Sequence, residues 1–290
     1  MGAVVHSALF ESERAVYASF PMTEPFERPK MQRAWGEAVA EIGTGPTRSR
    51  LLRLRQAGSL RLRFPRVARG PVEAVLVNTA GGLAGGDRLA QRFAVGPQAE
   101  LSVVTQACER VYASLGAEAR IRTDITVGEG GALAWLPQET ILFDRARLTR
   151  ELHVDAAATS RLLLCESVIL GREAMGESVR EGALRDRWRV RIDGRLAFAD
   201  DLRLEGDIAR LTAVRASLDG NLAFATVLAQ ATEPDMGSLR RALGPASGAS
   251  RIDGLTIVRI VAPSGIALRK ILIPALQHLA SGPLPRLWSM

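Results

Sequence analysis

The sequence predicts a mainly β protein, and three observations carry that prediction. Short runs alternate strictly between apolar and charged residues, Asp-Gly and Gly-Gly pairs fall between the runs, and only two segments show a helical period. Ser59 to Phe64 sets Leu60, Leu62 and Phe64 against Arg61 and Arg63, and the same two-residue period returns in Arg120 to Val127, Leu148 to Val154 and Arg187 to Ile192. Gly130-Gly131, Asp193-Gly194, Asp219-Gly220 and Asp253-Gly254 supply turn chemistry, the Asp-Gly pairs being typical of tight hairpins.

Taken in order, residues 1–30 mix charges with Pro21, Pro25 and Pro29 and have no lasting period, so a mobile extension is expected there, with His6 solvated within it. Met31 to Ile42 is read as a first strand. Val75 to Leu89 then carries an apolar run into four glycines, Gly81, Gly82, Gly85 and Gly86, and out through Asp87 and Arg88. Glycine tolerates positive φ and lets another backbone come close, so this stretch predicts a tight connection between strands, with Asp87 capping the turn. It is not a phosphate loop. Asp87 and Arg88 stand where that loop needs Lys and then Ser or Thr, and a carboxylate there repels phosphate. Further on, Pro234 to Leu243 reads as a short helix opened by Asp235. Ser264 to Leu279 places Leu268, Ile271, Leu272, Ala275, Leu276 and Leu279 on one face, with Pro274 inside it to kink or delay the helix. No linker or composition shift divides residues 45–290, so 31–290 is expected to be one domain. Period-two strands alone leave sandwich, barrel and solenoid open, and no fixed-period repeat is visible.

Composition narrows function modestly. The net charge of +7, nearly all of the positive charge from Arg, suits acidic protein partners, nucleic acid or an anionic membrane face. Cys108 and Cys165 are too few for a disulfide framework and have no His or Cys at metal-ligand spacing, so both read as reduced, buried thiols. No run approaches the roughly 18 uninterrupted apolar residues of a membrane span, and a cytoplasmic protein is expected. The three histidines, His6, His153 and His278, are scattered, and no nucleophile elbow, His-Glu-x-x-His or paired-Cys pattern is present. Catalysis has no obvious seat.

The run Gly-Gly-Leu-Ala-Gly-Gly-Asp-Arg-Leu resembles the Gly-Gly-hydrophobic-x-Gly-Gly-Asp signature of the UreD (UreH) family of urease accessory proteins. Other matches follow in that family's order. They are Thr105-Gln106-Ala107 with Val111-Tyr112-Ala113-Ser114, then Trp135-Leu136-Pro137-Gln138-Glu139-Thr140-Ile141, Gly171-Arg172-Glu173-Ala174-Met175-Gly176-Glu177 and the tail Pro285-Arg286-Leu287-Trp288. The resemblance implies an elongated β-helix-like stack, expected here with mostly antiparallel strands and a small helical portion near the C-terminal half. It also implies a non-enzymatic scaffold that binds apo-urease, recruits UreF-like and UreG-like partners and passes Ni²⁺ through an internal polar channel, with no tightly bound cofactor. No membrane or nucleic-acid partner is expected.

Among the spaced oxygen donors Asp87, Thr105, Glu139, Asp144, Glu166, Glu173 and Glu177, the resemblance makes Asp87, Thr105 and Glu166 the candidates for that channel. Oxygen donors without imidazole or thiolate hold Ni²⁺ weakly, which suits transfer better than storage. Two departures from the family pattern stand out: Asn78-Thr79-Ala80 replaces a Pro-rich step before the glycines, and Cys108-Glu109 follows Thr-Gln-Ala where small residues are common. The tail, with Trp288 and Arg286, is suited to docking a partner or packing back on its own domain. Two alternatives belong to other classes. A basic nucleic-acid-binding β protein would explain the Arg-rich strands but lacks an aromatic stacking platform, and a hydrolase lacks a recognisable nucleophile and base.

Overall fold

The computed structural model describes residues 33–66, 70–172, 175–231 and 233–288. The expected N-terminal extension and Glu173 lie outside them. The described residues open with a hairpin, β1 (Trp35–Thr44) and β2 (Ser49–Gly58), followed by β3 (Leu60–Arg63) paired with β4 (Val72–Asn78). From β4 it winds between two sheets. β5 (Arg88–Val95), β8 (Ala119–Val127), β11 (Arg147–Ala156) and β13 (Glu181–Ile192) join one sheet, while β6 (Glu100–Thr105), β9 (Ala132–Trp135) and β12 (Arg161–Leu170) join the other. A short third side stacks Leu83, β7 (Glu109–Val111) and β10 (Thr140–Leu142). The rest is β14 (Arg195–Asp207), α1 (Ile208–Ala213), β15 (Ala223–Gln230), α2 (Met236–Leu243), β16 (Gly248–Ile252), β17 (Leu255–Ala262) and α3 (Gly265–Leu279).

The β-helix-like stack is present, but the expectation of mostly antiparallel strands is not met. Nine of the fifteen ladders among the described residues are parallel. The reason is topological. Parallel neighbours need a long crossover, and here the crossover is a strand of the opposite sheet, so each coil returns to its own sheet running the same way. Antiparallel pairing is confined to the ends, where hairpins cap the stack: β1 with β2 and β13 with β14 in one sheet, β3 with β4 and β12, β15, β17 and β16 in the other. The repeat is spatial. Val72 pairs with Leu101, Leu101 with Leu133 and Leu133 with Leu162, so successive coils are offset by 29 to 32 residues. Unequal corners hide that period in the sequence.

Of the turn pairs, Asp193-Gly194 and Asp253-Gly254 do close hairpins, each with positive φ at both residues. Gly130-Gly131 instead turns the chain from β8 in one sheet to β9 in the other, and Asp219-Gly220 lies in the turn between α1 and β15.

Alternation along the strands makes two cores. Inward residues of both sheets form the first, including Phe93, Ile125, Leu133, Trp135, Leu164 and Trp188. Phe93 and Trp135 meet across the interior with ring centroids 5.7 Å apart. The outer face of the sheet containing β12, β15 and β17 is covered by α2, α3 and the tail, burying Cys165, Val227, Leu239, Leu268, Leu272 and Trp288 in a second core. Each fully buried Leu or Val contributes about 1.5–3 kcal/mol. Asp235 caps α2 by accepting from Gly237 and Ser238 amides, and Ser264 caps α3. Pro274 does not delay α3, which runs unbroken from Gly265. The tail packs back: Trp288 is buried, and its indole N–H donates to the Leu136 carbonyl at 2.9 Å. Among the described residues no helix is long and apolar enough to cross a membrane.

Candidate functional site

The glycine-rich stretch is the corner between β4 and β5, and Gly82 and Gly85 leave room for the chain that packs against them, Arg110 and Tyr112 at the first and Ser114 and Ala117 at the second. Gly82 has φ +145, and a Cβ on it would lie 2.5 Å from the Tyr112 ring. Leu83 N–H donates to the Arg110 carbonyl at 2.7 Å, and Tyr112 N–H donates back to Leu83 at 2.8 Å, which locks the corner to β7. Asp87 is buried and accepts from the Ala34 and Ala84 amides, both at 2.8 Å. It is a turn cap, as the local sequence predicts.

Beneath this corner lies a cavity of about 350 Å³. Exposed Gly81, Gln106, Ala107 and Arg110 line its outer part, with Asn78, Thr105, Cys108 and Glu109 behind them and Gln91, Thr123, Trp135, Arg150 and Glu166 on its inner wall. Of the three expected residues, Thr105 and Glu166 therefore share this cavity, and Asp87 stands apart among its turn amides. Thr105 Oγ1 accepts from the Gln138 amide at 2.8 Å and donates to the Ala107 carbonyl at 3.0 Å. Asn78 donates to both Glu109 carboxylate oxygens, at 3.1 and 3.2 Å. Burial nevertheless pushes the Glu109 carboxyl up to about 7, with Asp87 nearby adding to the rise.

At the inner end, Arg150 stands between two carboxylates. Its Nε and Nη2 donate to Asp186 at 3.2 and 2.5 Å, its Nη1 donates to Thr140 Oγ1 at 3.1 Å, and its Nε lies 2.9 Å from Glu166 Oε2. That last contact has the distance of an ion pair without hydrogen-bond alignment, leaving Glu166 Oε2 buried with no donor aimed at it. Trp135 Nε1–H donates to Glu166 Oε1 at 3.3 Å. The two partners respond in opposite senses. Arg150 is held protonated by Asp186 and Glu166 in spite of its burial, whereas burial raises the Glu166 carboxyl well above the ordinary carboxylate range. One guanidinium cannot neutralise two carboxylates, and Asp186, which takes the two-point contact, is the better served.

Polar residues continue past this cluster. Glu166 is the ladder partner of Thr226, whose hydroxyl accepts from Arg259 Nη1 at 2.6 Å, and Arg259 pairs with Asp200 at 2.7 Å. A line of inward polar side chains thus crosses the first core from Thr105 and Glu109 to the half-exposed Arg259. Sequence reasoning missed Glu109, Arg150, Asp186, Thr226 and Arg259.

The remaining expected donors have structural partners. Glu139 is buried and meets Arg269 Nε at 2.7 Å, Glu177 pairs with Arg172, and Asp144 accepts from the Arg180 and Glu181 amides. His153 sits on the outer sheet face beside Asp124 at 3.4 Å, and His278 Nδ1 lies 2.8 Å from the Pro274 carbonyl. Cys165 is buried, while Cys108 is only partly so. Its thiol donates to Glu139 at 3.3 Å, and burial followed by the Glu139 charge pushes it up to about 11, so it stays a thiol. Among the described residues no three His, Cys, Asp or Glu side chains gather to hold a metal. The Arg-rich strand β13 is laced with ion pairs, Arg187 reaching both Glu151 and Asp201, while Arg61 and Arg63 of β3 donate to backbone carbonyls.

The chain is thus a three-sided β stack with a polar line through its core, and its family-like motifs gather at one corner of the stack. The UreD urease accessory protein model matches residues 34–289. The chain is 45% identical over 267 residues to the urease accessory protein UreD of Rhizobium rhizogenes, covering 91% of this chain and 97% of that one. It is 46% identical over 265 residues to that of Chelativorans sp. (90% and 95%), and 40% identical over 283 residues to that of Agrobacterium fabrum (97% and 100%). The chain belongs to the UreD family of urease accessory proteins.

Proposed function

We propose that this chain is a cytoplasmic maturation scaffold that binds apo-urease, recruits UreF-like and UreG-like partners, and lets Ni²⁺ travel along its polar interior during insertion. Ni²⁺ is cargo here, held in passing and not as a resident cofactor. The observation that supports the reading is the inward polar line. On each of β5, β8, β11, β13, β12 and β17, an otherwise apolar inward row is interrupted by one of Gln91, Thr123, Arg150, Asp186, Glu166 and Arg259, and on β15 the inward row carries both Thr226 and Gln230. Oxygen donors dominate that set, and such donors bind a borderline cation weakly enough to release it.

The test is urease matured in cells carrying the whole urease cluster, with this chain as wild type, deleted, or carrying Glu166→Gln. Deletion and Glu166→Gln are both expected to lower the nickel content of urease, while Glu166→Gln leaves co-purification with urease intact. Full nickel loading in the variant rejects passage by way of Glu166, and full loading without the chain rejects the scaffold role.

A further inference from the structure

The guanidinium of Arg150 occupies the space between two buried carboxylates that a metal cation would otherwise take. We propose that Arg150 is a tethered cation that plugs a latent two-carboxylate site for a divalent cation, formed by Glu166 and Asp186, and that the polar interior conducts only when Arg150 withdraws. The inference rests on the nickel-passage reading above and adds its control point.

Three features carry it. The cavity ends on this residue: Arg150 and Glu166 line its inner wall, and Asp186 lies behind the guanidinium. The Arg150, Glu166 and Asp186 side chains are 5%, 2% and 10% exposed, so solvent does not screen a second cation brought beside the first. Glu166 Oε2, fully buried on the cavity wall, has no aligned donor, which leaves a lone pair available to a cation that the fixed guanidinium does not satisfy.

Arginine suits a plug. It stays charged at any physiological pH, so it cannot be neutralised in place as a lysine can. A hydrated dication cannot reach Glu166 without meeting that charge at contact distance. The barrier falls only if the side chain moves, which breaks its bonds to Asp186 and, through Nη1, to Thr140 on the third side.

The experiment uses the purified full chain and titrates Ni²⁺, with Co²⁺ as a second probe, by calorimetry. Wild type is expected to show no site attributable to Glu166. Arg150→Met is expected to gain one site of at least about tenfold higher affinity, the effect of removing one unit charge at contact distance even in a high dielectric. Adding Glu166→Gln to Arg150→Met is expected to abolish that gain, which a merely loosened fold would not predict. Arg150→Lys, whose compact ammonium cannot span both carboxylates, is expected to gain a weaker site and carries the test if the Met variant does not fold. A folded Arg150→Met or Arg150→Lys chain with no gained site overturns the plug. Because nickel loading of urease with Glu166→Gln is read separately, the plug can fail while passage through the interior stands, and the reverse pattern rejects passage alone.

Discussion

Replacing Arg269 by Met isolates the contact that ties α3 to the stack. Glu139 is 1% exposed, and both its oxygens face Arg269, at 2.7 and 2.9 Å, while Arg269 Nη2 also donates to Gln138 and its guanidinium lies 5.5 Å from the Trp288 ring. Removing one partner of a buried pair costs about 3–5 kcal/mol, chiefly because the other charge stays behind in low dielectric. Arg269 is 28% exposed, so water can enter the space it leaves, and a loss of about 2–3 kcal/mol is the expectation. Met keeps much of the aliphatic stem, so the loss reports charge more than packing. Denaturant unfolding at pH 7 measures it as a lower midpoint at unchanged slope. Adding Glu139→Gln removes the stranded carboxylate, and the double variant is expected to regain at least about 1 kcal/mol over Arg269→Met alone. If the two losses simply add, the contact is not a coupled pair and the argument is wrong.

The same logic applies elsewhere. Gly82→Ala combines positive φ with a Cβ 2.5 Å from Tyr112 and is expected to cost about 2–5 kcal/mol, whereas Gly116→Ala, with φ +138 and nothing within 4 Å, carries backbone strain alone at about 1–3 kcal/mol. Equal melting temperatures for the two would remove the close-approach argument. Glu109 has its folded carboxyl raised from 4.5 to about 7, so the folded state holds its proton more tightly than the unfolded one. Stability should therefore fall as pH rises from about 4.5 to about 7 and level off above. Glu109→Gln should be the more stable chain at pH 8 by about 1–3 kcal/mol and close to wild type at pH 4.5. Thermal melts across that range decide it, and an unchanged pH slope in the variant refutes the assignment.

How far the sequence carried the fold follows from which signals are local. Alternation located the strands, and Asp235 and Ser264 marked their helices, because caps and periods act over a few residues. Strand direction was not legible: Arg120 to Val127 has the same pattern whether its neighbour is a hairpin partner or a coil 29 residues on, as β11 proves to be. Gly130-Gly131 looks like a hairpin turn and is a corner. For the candidate site, Asp87 was legible as a cap from the Gly-Gly-Asp context, and the resemblance pointed to Thr105 and Glu166, which line one cavity, but Arg150 and Asp186 belong to no motif. Their signal was a fault in phase. Leu148, Leu152 and Val154 set the inward row of β11 and Arg150 falls on it, as Asp186 falls among Leu184, Trp188 and Val190.

Those faults in phase argue against a purely structural interior. Buried ionic clusters can often be replaced by packed apolar residues at no loss, or with a gain, of stability, and apolar side chains fill most other inward positions of this stack. A chain selected for stability alone has no use for Arg150 between two carboxylates, or for a Glu166 oxygen left without a donor. The defects are also not scattered. Hydrogen-bonded or ladder neighbours link Gln91 to Thr123, Arg150 to Asp186, and Glu166 to Thr226 and Arg259. A polar residue placed by drift on one strand gains nothing from a polar neighbour on the next coil, some 30 residues away, unless the row is used together. On the reading proposed above, polar positions recurring along one course over seven strands form a route for a charged or hydrated species, with Arg150 the point on it where a cation has to wait.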